Sequence, residues 1–388
     1  MKKKIFALLA AAALLCSLAA CTEAPSSENP VQGSLETSEV TDSAPASSET
    51  DASPESSDGS DLSAPEEPAV PGYDASVSHK IIVTDTRAGS VAVLDLNKCT
   101  DPSFADLSDK KCVVWEWREG SSSLAGIKVR ESEFYDGLLM LLAYSDGKAQ
   151  IVDFTSKKVL WEVNGIHNAH SIEILPDGAV VVAASGNSNI GYEDGGLHYF
   201  PAGSTEESSF LSLPFAHAAL WNGETLWSVG FEGIVAVTVD GGQLGKDEKK
   251  SISVETIHAA SPAHAALDEG NAGRFTGHDM APSSEEGIYW ISDNKGLWEF
   301  DSKAGTVVSL MGSTYFEKGI KGIACFSDGT VLLSAAGKGN PSSSVFTNVL
   351  SLFVDQASED GTVETEKYEV KFSNREFYKI HAFCENYQ

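Results

Sequence analysis

The run FYKIHAF, residues 377–383, ends the apolar part of this 388-residue sequence, and the run KIIV, residues 80–83, begins it. Both runs have the β-branched and aromatic composition of strands. The C-terminal run is typical of the innermost strand of a repeat unit that has no further strands after it. The N-terminal run is typical of the second strand of a unit that has no first strand before it. Pairing the two would complete one unit from both chain ends and remove the sheet edges that invite aggregation.

Short strand-like runs fill the sequence between these ends. Examples are AVVVAA at residues 179–184 and TVLLSA at residues 330–335, each preceded by an Asp-Gly turn, at residues 177–178 and 328–329. Apolar runs of this length, with turn signals every 8–12 residues or so, indicate an all-β fold. The runs recur with a period of about 40–60 residues, and a period of that size with about four strands per unit is typical of a β-propeller.

The sequence accommodates six such units, called blades. We therefore predict an all-β, six-bladed β-propeller closed by pairing of the C-terminal strand with the N-terminal blade. A seven-bladed ring and a pair of β-sandwich domains are the alternatives. The blades are expected to begin near His79, Lys128, His170, His217, His278 and Lys321.

The N-terminus has the pattern of an export signal. Three lysines follow Met1, an apolar run covers residues 5–15, and LAAC occupies residues 18–21. The apolar run is shorter than the 20 or so residues that span a bilayer. The small residues before Cys21 resemble the lipobox of bacterial lipoproteins, which implies cleavage after residue 20 and diacylglycerol or palmitate on Cys21. The alternative is an ordinary signal peptide with an incidental cysteine.

A polar segment follows Cys21. Residues 22–70 hold 12 acidic side chains and no lysine or arginine, with abundant Ser and Pro. Such a composition cannot bury enough surface to fold, so it predicts a disordered spacer. The expected organisation is a signal peptide at 1–20, a lipidated cysteine and linker at 21–72, and the propeller at 73–388. The protein would be extracytoplasmic and anchored to the cell membrane, which is the outer membrane if the cell has one.

The charge of the propeller region is strongly negative. Residues 73–388 carry 44 acidic against 24 basic side chains, within a chain of formal net charge −29. This balance argues against nucleic acid as a partner. The four cysteines of this region show no zinc-site spacing. Cys99 and Cys112 bracket a turn-rich stretch that a disulfide would close, and Cys325 and Cys384 lie in apolar runs that suit buried thiols.

Several blades open with a nitrogen-bearing side chain. His170 and Lys321 each lie seven residues before the aspartate of an Asp-Gly turn. If these positions are equivalent, they converge on one mouth of the central channel. The predicted ring of donors consists of His170, His217, His278, His381 and Lys321, with Arg130 from the second blade. The alternative is a structural signature repeated from blade to blade without a function.

Three chemistries suit this ring. The four imidazoles at positions 170, 217, 278 and 381 would bind a divalent metal. Lysine, arginine and imidazole together would bind an anion. A histidine paired with a metal or lysine would act as a base in a lyase or hydrolase. No GxSxG, HExxH or P-loop motif is present, so the sequence leaves catalysis open.

The motifs at residues 168–178 (NAHSIEILPDG), 216–221 (AHAALW), 277–280 (GHDM) and 296–301 (GLWEFD) together resemble an uncharacterised family of secreted bacterial six-bladed propellers. The resemblance implies the fold and the histidine positions, and it implies no activity. The function expected first is a surface lipoprotein that binds a small anionic or carbohydrate ligand at the channel mouth. A metal- or His-dependent lyase or hydrolase of surface glycans, and a protein–protein interaction scaffold, are the alternatives.

Overall fold

Strands dominate the part of the chain that can be described. The computed structural model describes residues 73–98, 110–118, 120–121, 123–267, 273–358 and 362–383. The predicted signal peptide, the linker, and Cys21, Cys99 and Cys384 lie outside these residues. Everything described belongs to one unit, Pro68–Gln388.

The described strands form six antiparallel sheets, one per blade. Blade one orders β25-β1-β2-β3, from Phe377–Ala382, Lys80–Asp85, Ser90–Asp95 and Val113–Arg118. Blade two orders β4 to β7, from Leu124–Ser132, Gly137–Tyr144, Ala149–Asp153 and Val159–Val163. Blade three orders β8 to β11, from Ala169–Ile174, Val180–Ala184, Gly196–Phe200 and Ser209–Ser212.

The other three blades follow in chain order. Blade four has β12 to β15, Ala218–Trp221, Leu226–Gly230, Gly233–Asp240 and Gln243–Lys246, with β16 at Ile252–Ser253 paired to β14. Two helices, α1 at Val254–Ala260 and α2 at Pro262–Ala265, lead onward. Blade five has β17 to β20, Asp279–Pro282, Ile288–Ser292, Leu297–Asp301 and Thr306–Ser309. Blade six has β21 to β24, Ile320–Cys325, Val331–Ala335, Val349–Ala357 and Val363–Lys371.

The two chain ends meet in blade one. β25 runs antiparallel to β1, with Ile380 opposite Val83 and His381 opposite Ile82. The all-β, six-bladed fold and its closure by the C-terminal strand are therefore confirmed. A further contact ties the first strand to the last blade, because His79 Nε2 lies 2.9 Å from Asp328 Oδ2 in the β21–β22 turn.

The hydrophobic core lies between neighbouring blades. Six clusters of buried side chains occupy the six junctions of the described sheets. In the junction of blades four and five, for example, Trp227 packs on Phe300 with ring centroids 4.9 Å apart. The inner strands β8 and β25 are buried at every position, on both faces. Because neither face of these strands meets solvent, their alignment around the axis depends on packing against the neighbouring blades.

Two further observations concern the described residues. No helix among them is long and apolar enough to cross a membrane. Cys112 is disulfide-bonded, whereas Cys325 is a half-buried thiol at the end of β21.

The closing strand should carry much of the stability of the ring. Ile380 is fully buried in the cluster between blades six and one. We expect Ile380→Ala to lower the free energy of unfolding by about 2–5 kcal/mol, because it removes buried methyl groups and leaves a cavity. Urea unfolding followed by tryptophan fluorescence measures this change. Val308→Ala in β20, where the side chain is 56% exposed, is the control, and equal losses in both variants would contradict a special role for the closing strand.

Candidate functional site

The innermost strands begin with a shared irregularity. The register between first and second strands shifts between Leu124 and Gly126, between Ala169 and Ser171, and between Ile320 and Gly322. Each shift is a β-bulge, in which two residues oppose one on the partner strand and a side chain is re-aimed. The extra residues are Ala125, His170 and Lys321, one each from blades two, three and six.

The remaining blades have the same feature at the same place. The His217 N–H donates to Val229, which also pairs with Ala218. The His278 N–H donates to Ser292, which pairs with Asp279. In blade one the register shifts between Val83 and Asp85, and Tyr378 lies beside that shift. The six equivalent positions, from blade one to blade six, are Tyr378, Ala125, His170, His217, His278 and Lys321.

Four of the predicted donors come together at this level. The rings of His170 and His217 stack with centroids 4.1 Å apart. The His278 ring meets His217 edge to face at 4.9 Å, and Lys321 Nζ lies 2.7 Å from His278 Nε2. All four side chains are buried, with 1–8% of their residue surface exposed. We call His170, His217, His278 and Lys321 the histidine–lysine cluster.

Part of this cluster has hydrogen-bonding capacity that the protein leaves unused. Both ring nitrogens of His170, and Nδ1 of His278, are buried and have no hydrogen-bond partner among the described residues. Such orphaned groups are rare because each one costs about 1–3 kcal/mol of desolvation. The Nε2 atom of His278 lies 2.6 Å from Asn294 Oδ1 as well as near Lys321. When Nε2 accepts from the lysine, the ring proton is on Nδ1, which is then a buried donor without a partner among the described residues.

The imidazoles of the cluster are held neutral. Burial, together with the Lys379 and Lys321 cations, lowers the pKa of His170 to about 3. Burial and the two neighbouring histidines lower the pKa of His217 well below its ordinary value. Burial and Lys321 do the same to the pKa of His278. The cluster therefore offers neutral N–H donors and ring acceptors beside a lysine.

The channel below the cluster is filled with ion pairs. Lys379 Nζ lies 2.8 Å from Asp279 Oδ1 and 2.5 Å from the His278 carbonyl oxygen. Farther along the strands, Glu173 accepts two bonds of 2.9 Å from Arg130 and one of 3.1 Å from Lys128. Burial alone would raise the pKa of Glu173, but these two cations outweigh it and hold the pKa below its usual value. The ion pairs therefore lie deeper along the inner strands than the histidine–lysine cluster.

The structure does not place two of the predicted ring members, Arg130 and His381, at the level of the cluster. Arg130 lies five residues beyond Ala125 on β4 and is committed to Glu173. His381 lies three residues beyond Tyr378 on β25, with Nε2 3.5 Å from Asp279 Oδ1. Ala125 and Tyr378 occupy the ring positions of these blades instead. Tyr378 bears a hydroxyl rather than a nitrogen donor, so the pattern that defined the predicted ring did not indicate it.

The predicted set of four histidine ligands for a metal is not assembled. His381 lies at a deeper level than the other three, and His170 and His217 stack face to face rather than pointing their nitrogens at one point. No group of three His, Cys, Asp or Glu side chains is placed to hold a metal ion within the described ranges. The donor geometry of this cluster does not fit a metal centre.

The buried charge of the inner strands is positive. Among the described residues of these strands, Lys128, Lys321 and Lys379 are buried and the Arg130 side chain is 9% exposed, while Glu173 and Asp279 are the buried carboxylates. Four cations therefore face two anions inside a protein whose surface is strongly acidic. A negatively charged ligand would therefore be attracted to the buried cations near the axis rather than to the acidic surface.

Aromatic side chains cover one side of the cluster. The Phe215 ring lies 4.0 Å from the His217 ring and stacks on Phe231 at 4.6 Å. Tyr192 meets both phenylalanines edge to face, at 5.1 and 5.5 Å. Phe215 has a φ of 65°, a left-handed conformation that costs an L-residue about 1–2 kcal/mol. Backbone strain of this kind is common at functional sites, but no sequence motif marks it.

Comparisons with known proteins extend no further than the fold. No protein-family model matches the chain, and no curated protein sequence matches it, so the resemblance to an uncharacterised propeller family remains a prediction. One similar solved structure is the dihydro-heme d1 dehydrogenase NirN in complex with DHE, at 14% identity and a TM-score of 0.40, covering 76% of this chain and 55% of that one. The chain thus spans about half of that protein. Another is the β-propeller domain of Cps50 (Swd1) from Myceliophteria thermophila, at 15% identity and a TM-score of 0.39, covering 63% of this chain and 72% of that one.

The neutral state of His170 predicts how stability depends on pH. An unfolded histidine titrates near pH 6.5, whereas the folded pKa is about 3. Between these values the unfolded chain binds the extra proton, so the free energy of unfolding falls as pH falls. Each such histidine contributes a slope of about 1.4 kcal/mol per pH unit. Urea unfolding of the wild type and His170→Gln at several pH values from about 4 to 6 should give a shallower slope in the variant, and parallel profiles would contradict a neutral buried His170.

Proposed function

We propose that this protein is a membrane-anchored, extracytoplasmic β-propeller that binds a small anion at its histidine–lysine cluster. A β-propeller is a general framework for ligand binding and for interaction with other proteins, and its fold alone selects neither. The observation that carries the proposal is His170, whose two ring nitrogens are buried without a partner beside a buried lysine.

The chemistry of the cluster favours an anion. A neutral imidazole donates from one nitrogen, and the Lys321 ammonium donates from three hydrogens. Hydrogen bonds between a charged and a neutral group are roughly twice as strong as neutral ones in a buried setting. An anion at this level would accept from His170 and Lys321 and would offset the positive balance of the inner strands.

A histidine-dependent lyase or hydrolase is the second candidate. The contact of 2.7 Å between Lys321 Nζ and His278 Nε2 favours it. An amine and an imidazole that share a proton can pass that proton to or from a substrate. The protonation of the cluster weighs against it. A general base works best with a pKa near the operating pH, whereas burial and Lys321 hold the pKa of His278 well below its ordinary value.

The binding proposal is tested by titrating the purified protein with acetate and inorganic phosphate at constant ionic strength. A ligand that binds the folded state raises the midpoint of thermal unfolding by mass action. We expect a saturable rise in the wild type that is lost in His170→Ala and in Lys321→Met. Lys303→Met, at a lysine whose side chain is 65% exposed, is the control and should keep the response.

The outcomes separate the candidates. A saturable anion response that survives His170→Ala would overturn the assignment of the site. Elemental analysis of the purified protein and assays for glycan cleavage address the enzyme, and turnover that depends on His278 would favour it over binding alone. If no anion responds while a protein partner is retained by the wild type and all cluster variants alike, the interaction scaffold is the better reading.

The anchor is the other part of the proposal. The lipobox-like LAAC at residues 18–21 and the acidic linker support a tether at Cys21. Two or three acyl chains hold a protein durably at a membrane, since each buried methylene contributes about 0.8 kcal/mol. In a bacterial host we expect the protein in the membrane fraction with incorporated labelled palmitate, and Cys21→Ser should lose the label and leave that fraction. Cys16→Ser, within the predicted signal, is the control, and an unlabelled wild type would contradict the tether.

A further inference from the structure

We propose that a cavity between blades two and three is a second binding site, which takes a small organic amine: a primary ammonium group on a short apolar chain. None of the residues that line this cavity belongs to the histidine–lysine cluster, so the inference does not depend on the anion proposed there. Three features carry it: the cavity itself, a histidine–glutamate pair on its polar side, and the charge of its lining.

The cavity has the size and the wall of a small-molecule site. Its volume is about 390 Å³, and it lies between the end of β7 and β10. Ligand sites in proteins have volumes of about 300–1,000 Å³ and combine apolar walls with a few placed polar groups. The buried side chains of Val163, Ile166 and Phe200 supply the apolar part of this wall.

A hydrogen bond across the junction joins the two sides of the cavity. The Trp161 indole N–H donates to the Ser204 carbonyl oxygen at 2.6 Å. Each of these residues is next in the chain to one that lines the cavity, Glu162 on β7 and Thr205 in the loop after β10. The two sides are therefore fixed relative to each other before a ligand arrives, which lowers the ordering cost of binding.

The polar side holds a histidine whose ring is oriented by a carboxylate. His198 Nδ1 lies 2.6 Å from Glu207 Oε2, and both residues line the cavity. The His198 ring also packs on Phe210, with centroids 4.9 Å apart. When the Nδ1–H group donates to the carboxylate, Nε2 is left as an acceptor, and it has no hydrogen-bond partner among the described residues. The pair therefore suits a ligand that brings a donor.

The charge of the lining favours a cationic donor. Glu162 and Glu207 contribute carboxylates, and no lysine or arginine is among the described residues that line the cavity. Hydrogen bonds from Gln150 and Asn164 lower the pKa of Glu162, which keeps this carboxylate ionised. Lys148 also acts on Glu162, but it is not part of the lining. An ammonium group brings three donors and a charge that complements this wall.

The apolar part of the wall requires more than an inorganic cation. A bare ammonium or metal ion would leave Val163, Ile166 and Phe200 uncovered, whereas a short alkyl chain would bury them against its methylene groups. No group of three His, Cys, Asp or Glu side chains in the described part of the chain is placed to hold a metal ion. An amine with an apolar chain is therefore the occupant that uses both sides of the cavity.

The experiment compares n-hexylammonium with n-hexyltrimethylammonium, 1-hexanol, hexanoate and ethylammonium by saturation-transfer NMR titrations of the purified protein at constant ionic strength. The first four share one chain and differ in charge and in hydrogen-bond donors. We expect n-hexylammonium to bind at least tenfold more tightly than each of the others, and hexanoate to show no saturable binding. Ethylammonium should be weaker because its chain covers less of the apolar wall.

Variants of the polar side test the position of the ammonium group. Glu207→Gln removes a charge while keeping an acceptor for His198, and it should weaken n-hexylammonium binding at least fivefold. His198→Phe removes Nε2 and should have a similar effect, and circular dichroism checks that both variants fold. Glu206→Gln is the matched control, because it removes the same charge from the same loop at a residue that does not line the cavity, and it should leave the affinity unchanged.

Several outcomes would overturn the inference. Equal weakening in Glu206→Gln and Glu207→Gln would mean that amines are attracted by the acidic surface as a whole. Equal affinity for the trimethylated and the primary amine would exclude a hydrogen bond to His198, and saturable binding of hexanoate would contradict the charge argument. His170→Ala should leave amine binding unchanged, so failure of the anion site and failure of this second site are observed separately.

Discussion

The pairing of β25 with β1 is the contact on which the rest of the molecule depends. It joins residues almost 300 positions apart in the chain, such as Val83 and Ile380, and converts a row of blades into a ring without open edges between the first blade and the last. It also brings the final strand to the axis. Without that strand the channel would lack Tyr378 at the mouth and Lys379, whose ammonium holds Asp279 and the carbonyl oxygen of His278.

A β-bulge repeated around the ring aims the side chains of the site. An inner strand that is buried on both faces would normally direct its side chains into the junctions between blades. The extra residue of the bulge instead faces the axis, and in three successive blades that residue is a histidine. Because burial holds the pKa values of these three imidazoles low, they remain neutral, and the positive charge of the cluster comes from its lysine. This separation of roles gives an acidic protein a small cationic interior.

The left-handed backbone of Phe215 connects the aromatic mouth to the cluster. Asn168, also two residues before a cluster histidine, has a φ of 58°, and Gly319, two before Lys321, has a φ of 69°. The same turn into the inner strand thus recurs in blades three, four and six. Glycine adopts this conformation without cost, and asparagine with little. Phenylalanine does not, so its presence at position 215 indicates that the packing of its ring on His217 and Phe231 outweighs the strain.

Much of this protein could be predicted from local sequence patterns. Strand composition, Asp-Gly turns and the two unmatched end runs determined the propeller and its closure. In blades three and six the strand lengths are similar, so counting seven residues back from Asp177 and Asp328 placed His170 and Lys321 in one ring. The histidines at 217 and 278 stood at the starts of their strands and needed no count.

The tertiary structure decided the register of the other two blades. β4 has nine residues, against six in β8, and residue type alone suggested Arg130, which lies deeper along β4 than Ala125. No turn follows β25, and residue type alone suggested His381 rather than Tyr378. A strand that is buried at every position has no polar–apolar alternation from which its register can be read. The aromatic mouth was invisible for a related reason, since Tyr192, Phe215 and Phe231 come together only when blades three and four pack around the axis.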